Sequence, residues 1–270
     1  MTRRTPRGIA ALSLLAFLAS SGAAAQAPVC KGTIYLTFDT GSQSQAELIE
    51  QTLRRHHIKA TFFLANEKTI HGDYSLDPAW APLWTRLAEQ GHAFGTHTFD
   101  HVYAVRDLPQ GKIEVRPQFG ADAGRKLQWT AAQYCDEMQR VAQRFEQLTG
   151  RKLDRLWRAP GGRTTPNLLK AGQACGYAHA GWSPAGFSGD ELPSDKWPNA
   201  VLLNKSLEGL RDGDIFLAHM GIWSRRDAWA PAVLEPLITG LEQRGMCFAT
   251  LREHPDYRQH LQATRERSGG

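Results

Sequence analysis

The sequence predicts an α/β fold of parallel strands with helices packed outside them, and three observations carry that reading. β-type and helix-type segments alternate along nearly the whole chain. Of the 270 residues, 41% are apolar and 22% charged, which excludes a disordered or fibrous chain and suffices for a sizeable core. No linker, internal repeat or low-complexity stretch breaks the alternation, so residues 26–270 read as one domain.

The elements follow in order. Residues 33–38 are β-branched and aromatic, a short strand; 45–56 carry Leu48, Ile49, Thr52 and Leu53 at helical spacing. A strand at 60–64 and a helix at 82–90, closed by Gly91, come next, then a short strand at 93–95. A long helix spans 130–148 and is stopped by Gly150. Strands are expected at 153–158, 177–182, 215–218 and 246–251, with helices at 165–174, 199–210 and 231–243. Residues 102–128 are polar and hold Gly111, Gly120 and Gly124; they read as a long loop, of the kind that serves as a functional lid or a mobile segment.

Residues 1–25 read as a secretory signal, with Arg3, Arg4 and Arg7 before an apolar run at 9–19 and small residues at 23–25. Those arginines account for three of the five net positive charges, and no Lys/Arg-rich block follows, so a nucleic-acid partner is not expected. The later sequence has no second apolar run long enough to cross a bilayer, so the mature chain is expected to be soluble, exported to the periplasm or secreted. In an oxidising compartment the even cysteine count favours disulfides. Cys30–Cys247 would join the starts of the first and last strands, and Cys135–Cys175 would join two neighbouring helices; buried thiols are the other reading of one pair.

Four places carry candidate chemistry. His97 and His101 stand four residues apart, on one face if the segment is helical, which suits a divalent metal. Asp39 follows a strand and precedes a glycine turn, Arg158 ends another strand before Pro160-Gly161-Gly162, and His219 ends a third. Each alone has a structural reading: a capping pair, turn chemistry, a salt bridge, a satisfied histidine. In a parallel barrel, however, strand C-termini meet at one face, where such groups converge into a hydrolytic constellation. No Ser or Cys sits beside a base in an elbow, which favours metal-activated water over a covalent nucleophile.

Five segments in order from about Lys31 to Leu251 make the sequence resemble the polysaccharide deacetylase family (the NodB homology domain, carbohydrate esterase family 4). They are TFDTG at 37–41, ATFFL at 60–64, GHAFGTH leading into His97 and His101, RAPGG at 158–162, and DIFLAH at 214–219. The resemblance implies a distorted (β/α) barrel of about seven parallel strands. It implies an exported hydrolase that removes N-acetyl groups from a polysaccharide or from peptidoglycan, with Zn2+ or Co2+ as the metal. His97 and His101 would bind that metal, Asp39 would be the general base, Arg158 would hold Asp39 ionised, and His219 would be the general acid. The oxyanion would rest on the metal and on a backbone N–H near Gly41 or in the neighbouring turn. Trp182 and Trp223, with Phe187, are candidates for stacking on sugar faces, whereas Trp80 and Trp84 read as core.

Two departures stand out. The family's second Asp, its third metal ligand, is Thr40 here; Asp39 itself, Asp100 or Glu67 are the substitutes at hand, or the site is weakly metallated or empty. The fourth motif keeps Trp182 but lacks Asp in the usual places, with Asp190 slightly beyond. The rival reading is therefore a catalytically impaired carbohydrate-binding barrel lacking the full metal triad. A third is the same chemistry on another acyl amide or an O-acetyl ester.

Overall fold

The computed structural model describes residues 1–2 and 30–268, the last two by backbone only; the expected secretory signal at 1–25 lies outside the described residues apart from Met1 and Thr2. Ten strands are formed among them: β1 (Gly32–Asp39), β2 (Thr61–Leu64), β3 (Ala93–Thr96), β4 (Tyr103–Asp107), β5 (Ile113–Arg116), β6 (Leu127–Trp129), β7 (Leu156–Trp157), β8 (Ala178–His179), β9 (Ile215–His219) and β10 (Met246–Phe248). The helices are α1 (Ala46–Arg55), α2 (Ala81–Glu89), α3 (Ala131–Thr149), α4 (Pro166–Ala174), α5 (Asn199–Gly209), α6 (Trp229–Gln243) and α7 (Pro255–Ser268).

Seven strands make one curled, parallel sheet in the order β10-β1-β2-β3-β7-β8, with β9 on the other side of β1. Past β8 the chain bends onto β9: Ser183 N–H donates to Ile215 O and Ile215 N–H to Ser183 Oγ, both at 3.0 Å, and Ser188 N–H to Leu217 O at 3.1 Å. The sheet thus curls into the distorted parallel barrel expected from the sequence.

The strand period of two assigns the faces of β1. Ile34, Leu36 and Phe38 point outward and join Phe62, Leu64, Phe94, Trp84 and the apolar side of α6 in the main core. Tyr35, Thr37 and Asp39 point inward; Tyr35 packs with Phe63, Leu156, Ile215 and Leu251 in the lumen. β1 is buried along nearly its whole length, yet its sequence alternates, with Ile34, Leu36 and Phe38 on the outer face and Thr37 and Asp39 on the inner one.

Three differences from the sequence expectation matter. Residues 102–128 are not a lid or a mobile loop: β4, β5 and β6 form an antiparallel sheet whose Val102, Ala104, Ile113 and Val115 share a core with Tyr134, Met138 and Trp157. Helix α7 had no counterpart in the sequence pattern; it buries Leu261, and Arg265 binds Asp154 across the barrel's N-terminal end. Strands β7 and β8 are shorter than the runs expected at 153–158 and 177–182.

Both expected disulfides form, Cys30–Cys247 beside the paired starts of β1 and β10, and Cys135–Cys175 between α3 and the end of α4. They close segments of 217 and 40 residues. From loop-closure entropy, replacing the Cys135–Cys175 pair by alanines is expected to cost about 4 kcal/mol, and the longer loop about 5 kcal/mol. Urea denaturation of each double variant measures this; an unchanged midpoint contradicts it.

Candidate active site

Asp39, His97, Arg158 and His219 all sit at C-terminal strand ends or just beyond them, and the barrel brings them together. Asp39 and His219 are register partners on β1 and β9. Their backbones are tied further by Met220 N–H, which donates to Asp39 O and Thr40 O at 3.0 Å. The turn after Asp39 packs directly on the turn after His219. A Cβ on Gly41, whose φ is 96°, would stand 2.4 Å from Gly221 O, so only glycine fits there.

Arg158 is fully buried in the lumen. Its guanidinium donates to Asp39 Oδ1 at 2.8 Å, Thr37 Oγ1 at 2.9 Å, and the carbonyls of Ala180 and Gly181 at 3.0 Å. It lies 4.2 Å over the Phe63 ring, with Trp182 on a further side at 5.8 Å. A buried cation persists only when paired and hydrogen-bonded this fully. Burial pushes Asp39 up, but Arg158, then His97 and His219, outweigh it and hold the carboxyl below the ordinary carboxylate range.

The two imidazoles meet without a helix. Thr98 and His101 take positive φ (63° and 47°), and the resulting tight turn sets the rings 4.9 Å apart, edge to face. His97 Nδ1 lies 2.9 Å from Arg158 O. A carbonyl only accepts, so Nδ1 carries the proton and the Nε2 lone pair faces Asp39 Oδ2, 3.4 Å away. Burial lowers His97 to about 4, so it is neutral at physiological pH.

Thr40 does not face the histidines as a ligand. Its hydroxyl donates to Glu67 Oε1 at 2.6 Å and accepts from Ala65 N–H, while Gly41 N–H donates to the same Glu67 oxygen at 3.0 Å. This bond occupies the Gly41 N–H named above as a possible oxyanion donor. Burial raises Glu67, but His101, the Thr40 hydroxyl, His97 and the Gly41 N–H together hold it low, so it is a carboxylate beside both imidazoles. Asp100 is turned elsewhere: Arg140 binds it at 3.0 Å and its oxygens lie against Gly120.

Sequence reasoning left the support of His219 open, and Asp190 supplies it. Asp190 Oδ1 is 3.0 Å from His219 Nδ1, and Asp190 Oδ2 accepts the His219 backbone N–H at 2.7 Å; Ser188 Oγ donates to Asp190. Burial opposes the imidazolium, but Asp190, with Asp39 and Glu191, pushes His219 up to about 10. A cavity of about 240 Å³ borders His219 and Asp190, lined also by Ser44, Gln45 and Trp229.

The two aromatics differ. Trp182 is half-buried, lying against Gly162 and 6.3 Å from the Phe187 ring, so it is part of the barrel wall. Trp223 is 61% exposed on the turn after His219.

Among the described residues, no three His, Cys, Asp or Glu side chains already stand as a metal cluster. The donors are nevertheless of the kind a divalent cation takes: two imidazoles, one with its tautomer fixed from behind, and two carboxylates, Asp39 against His97 and Glu67 acting electrostatically on both rings.

Fold and site together define a parallel (β/α) barrel with a titratable centre at the C-terminal ends of its strands. The profile of the family described as polysaccharide deacetylase matches residues 26–180, more than half of the chain, which therefore belongs to that family. It is 26% identical over 244 residues to the chitooligosaccharide deacetylase of Azorhizobium caulinodans, covering 85% of this chain and 98% of that one. It is 27% identical to the peptidoglycan-N-acetylmuramic acid deacetylase of Bacillus subtilis, covering 81% and 70%. Among solved structures, a family 4 carbohydrate esterase from Streptomyces lividans in complex with acetate superposes with a TM-score of 0.59 at 20% identity, covering 83% and 94%. A family 4 pseudoenzyme from Bacillus anthracis superposes at 0.61 and 17% identity, covering 84% and 66%.

Proposed function

We propose that the chain is an exported, metal-dependent hydrolase that removes N-acetyl groups from an amino-sugar glycan, chitooligosaccharide-like or peptidoglycan. The observation that carries this reading is the pairing of two opposed titratable systems on adjoining strands: Asp39 held anionic by Arg158, and His219 held protonated by Asp190. Enzymes that need a base and an acid at one pH separate their pKa values by environment in this way. Relatives named as deacetylases of chitooligosaccharide and of peptidoglycan support the substrate class.

His97 and His101 would hold the divalent metal, with Glu67 as the carboxylate in place of the one lost at position 40. When bound, the metal supplies a Lewis acid that polarises the acyl carbonyl and acidifies water. Asp39 takes the proton from the attacking water, and Arg158 keeps it an acceptor. His219 gives its proton to the departing amine nitrogen, which is otherwise a poor leaving group. Asp190 fixes the imidazole orientation and keeps Nδ1 protonated.

The experiment is acetate release from N-acetylated chito-oligosaccharides and peptidoglycan, with Zn2+ or Co2+ added. Wild-type chain is expected to release acetate and Asp39→Asn to lose about 1,000-fold or more in kcat, on the scale general-base loss reaches. A folded wild-type chain that binds glycan yet releases no acetate with any metal leaves the rival, a glycan-binding barrel without turnover. Thr40 in place of the family's Asp is the observation that favours that rival.

A further inference from the structure

Strand β4 opens with a residue that the fold does not need for its own core. Val102 and Ala104 point into the cluster under the inserted sheet, and Tyr103 between them points to the opposite face. That face is the active site. The Tyr103 ring meets His101 edge to face at 5.2 Å, and the Arg163 guanidinium lies 5.2 Å from its centroid.

The third contact is the turn Pro160–Gly162 that follows Arg158. Gly161 has φ 62°, and a Cβ there would stand 2.7 Å from Tyr103 Cε1 and 3.6 Å from Cζ. The turn is therefore bare at this position, and the phenol occupies the space a side chain would have taken. The ring is held on three sides, yet its hydroxyl has no hydrogen-bond partner among the described residues. Glu67 and Glu191 both act electrostatically on it.

We propose that Tyr103 is a catalytic residue contributed by the inserted sheet, its phenol O–H donating a hydrogen bond to the acyl oxygen as that oxygen becomes anionic. The proposal rests on the deacetylase reading of the site. A fixed donor aimed at developing charge stabilises the transition state more than the ground state. Gly41 N–H is committed to Glu67 and is not free to be that donor.

The test compares wild type, Tyr103→Phe and Tyr103→Ala. Tyr103→Phe keeps the ring and its packing, so its thermal midpoint is expected to equal wild type, with kcat about 30-fold lower and KM within about twofold. Tyr103→Ala is expected to lose activity and the packing on His101 together. In a second measurement, acetate is titrated by NMR into Zn2+-loaded protein, its carboxylate standing in for the anionic acyl oxygen. Tyr103→Phe is expected to bind acetate about tenfold more weakly, the scale of a lost hydrogen bond to a charged group. Wild-type kcat in Tyr103→Phe, or a change in KM alone, overturns the proposal. Were the wild-type chain to release no acetate, the deacetylase reading fails, and with it any role in turnover. The acetate titration then decides whether Tyr103 is an anion donor, and equal affinities reject that too.

Discussion

Replacing Glu67 by Gln is expected to lower Zn2+ affinity on the order of 100-fold, at the upper end of what changes around a metal site cost, and acetate release falls with it. The amide keeps the size of the side chain and can still accept from Thr40 Oγ and Gly41 N–H, so the turn after β1 should hold its shape. What is lost is the negative charge beside His97 and His101. Asp100→Asn is the control, because that carboxylate belongs to Arg140. A stronger test returns the charge to the other side. Thr40→Asp in the Glu67→Gln background is expected to recover most of the affinity, whereas Thr40→Asp alone sets two carboxylates within hydrogen-bond distance and gains little. Calorimetric Zn2+ titration of the five proteins measures this. Equal affinities for wild type and Glu67→Gln would show that the cation, if held, is held by other residues.

The second large effect is on pH dependence. Asp190→Asn removes the carboxylate that does most to push His219 up to about 10, so the imidazole should titrate near its ordinary value of about 6.5. With the acid protonated only below that range, kcat at pH 8 is expected to fall more than tenfold while kcat at pH 6 changes far less. The alkaline limb of the rate profile moves down by about two pH units or more. Stability follows the same linkage. The folded value lies above the unfolded one, so the pair stabilises fully below about pH 6.5 and loses that contribution as pH rises through about 10. Urea midpoints of wild type and variant should therefore differ most at pH 6 and converge near pH 10.5. A variant whose rate profile overlays the wild type would separate Asp190 from the chemistry.

Much of this was legible in the sequence, for reasons that can be named. The alternation along TIYLTFD puts Asp39 on the lumen face whichever helices surround it, because a strand has only two faces. Arg158 and His219 were legible as residues at strand ends before a turn. The meeting of His97 and His101 was legible, but its cause was not: the spacing suggested a helix, and the structure uses two left-handed backbone positions. Glu67 appeared only as one of several carboxylates, since nothing in the sequence says that Thr40 would bind it and Arg140 would take Asp100. Asp190 was visible just beyond the usual place of the fourth motif, but its partner was not, because only the bend at Ser183–Ser188 resolves the offset in spacing. The inserted sheet did carry a signal, the alternating Val102, Ala104 and then Ile113, Val115, masked by the polar residues and glycines between them. Helix α7 carried almost none, because it is polar on nearly every side and buries little beyond Leu261.

The register of β1 against β9 has a consequence for how such a site tolerates change. Proton acceptor and proton donor hang from facing rungs of one parallel ladder, so the gap between their backbones is the width of that ladder, about 4.8 Å, and owes nothing to the loops above. Insertions as large as the three-stranded one between β3 and α3 can then reshape the rim while the backbone spacing of acceptor and donor stays a constant of the main chain.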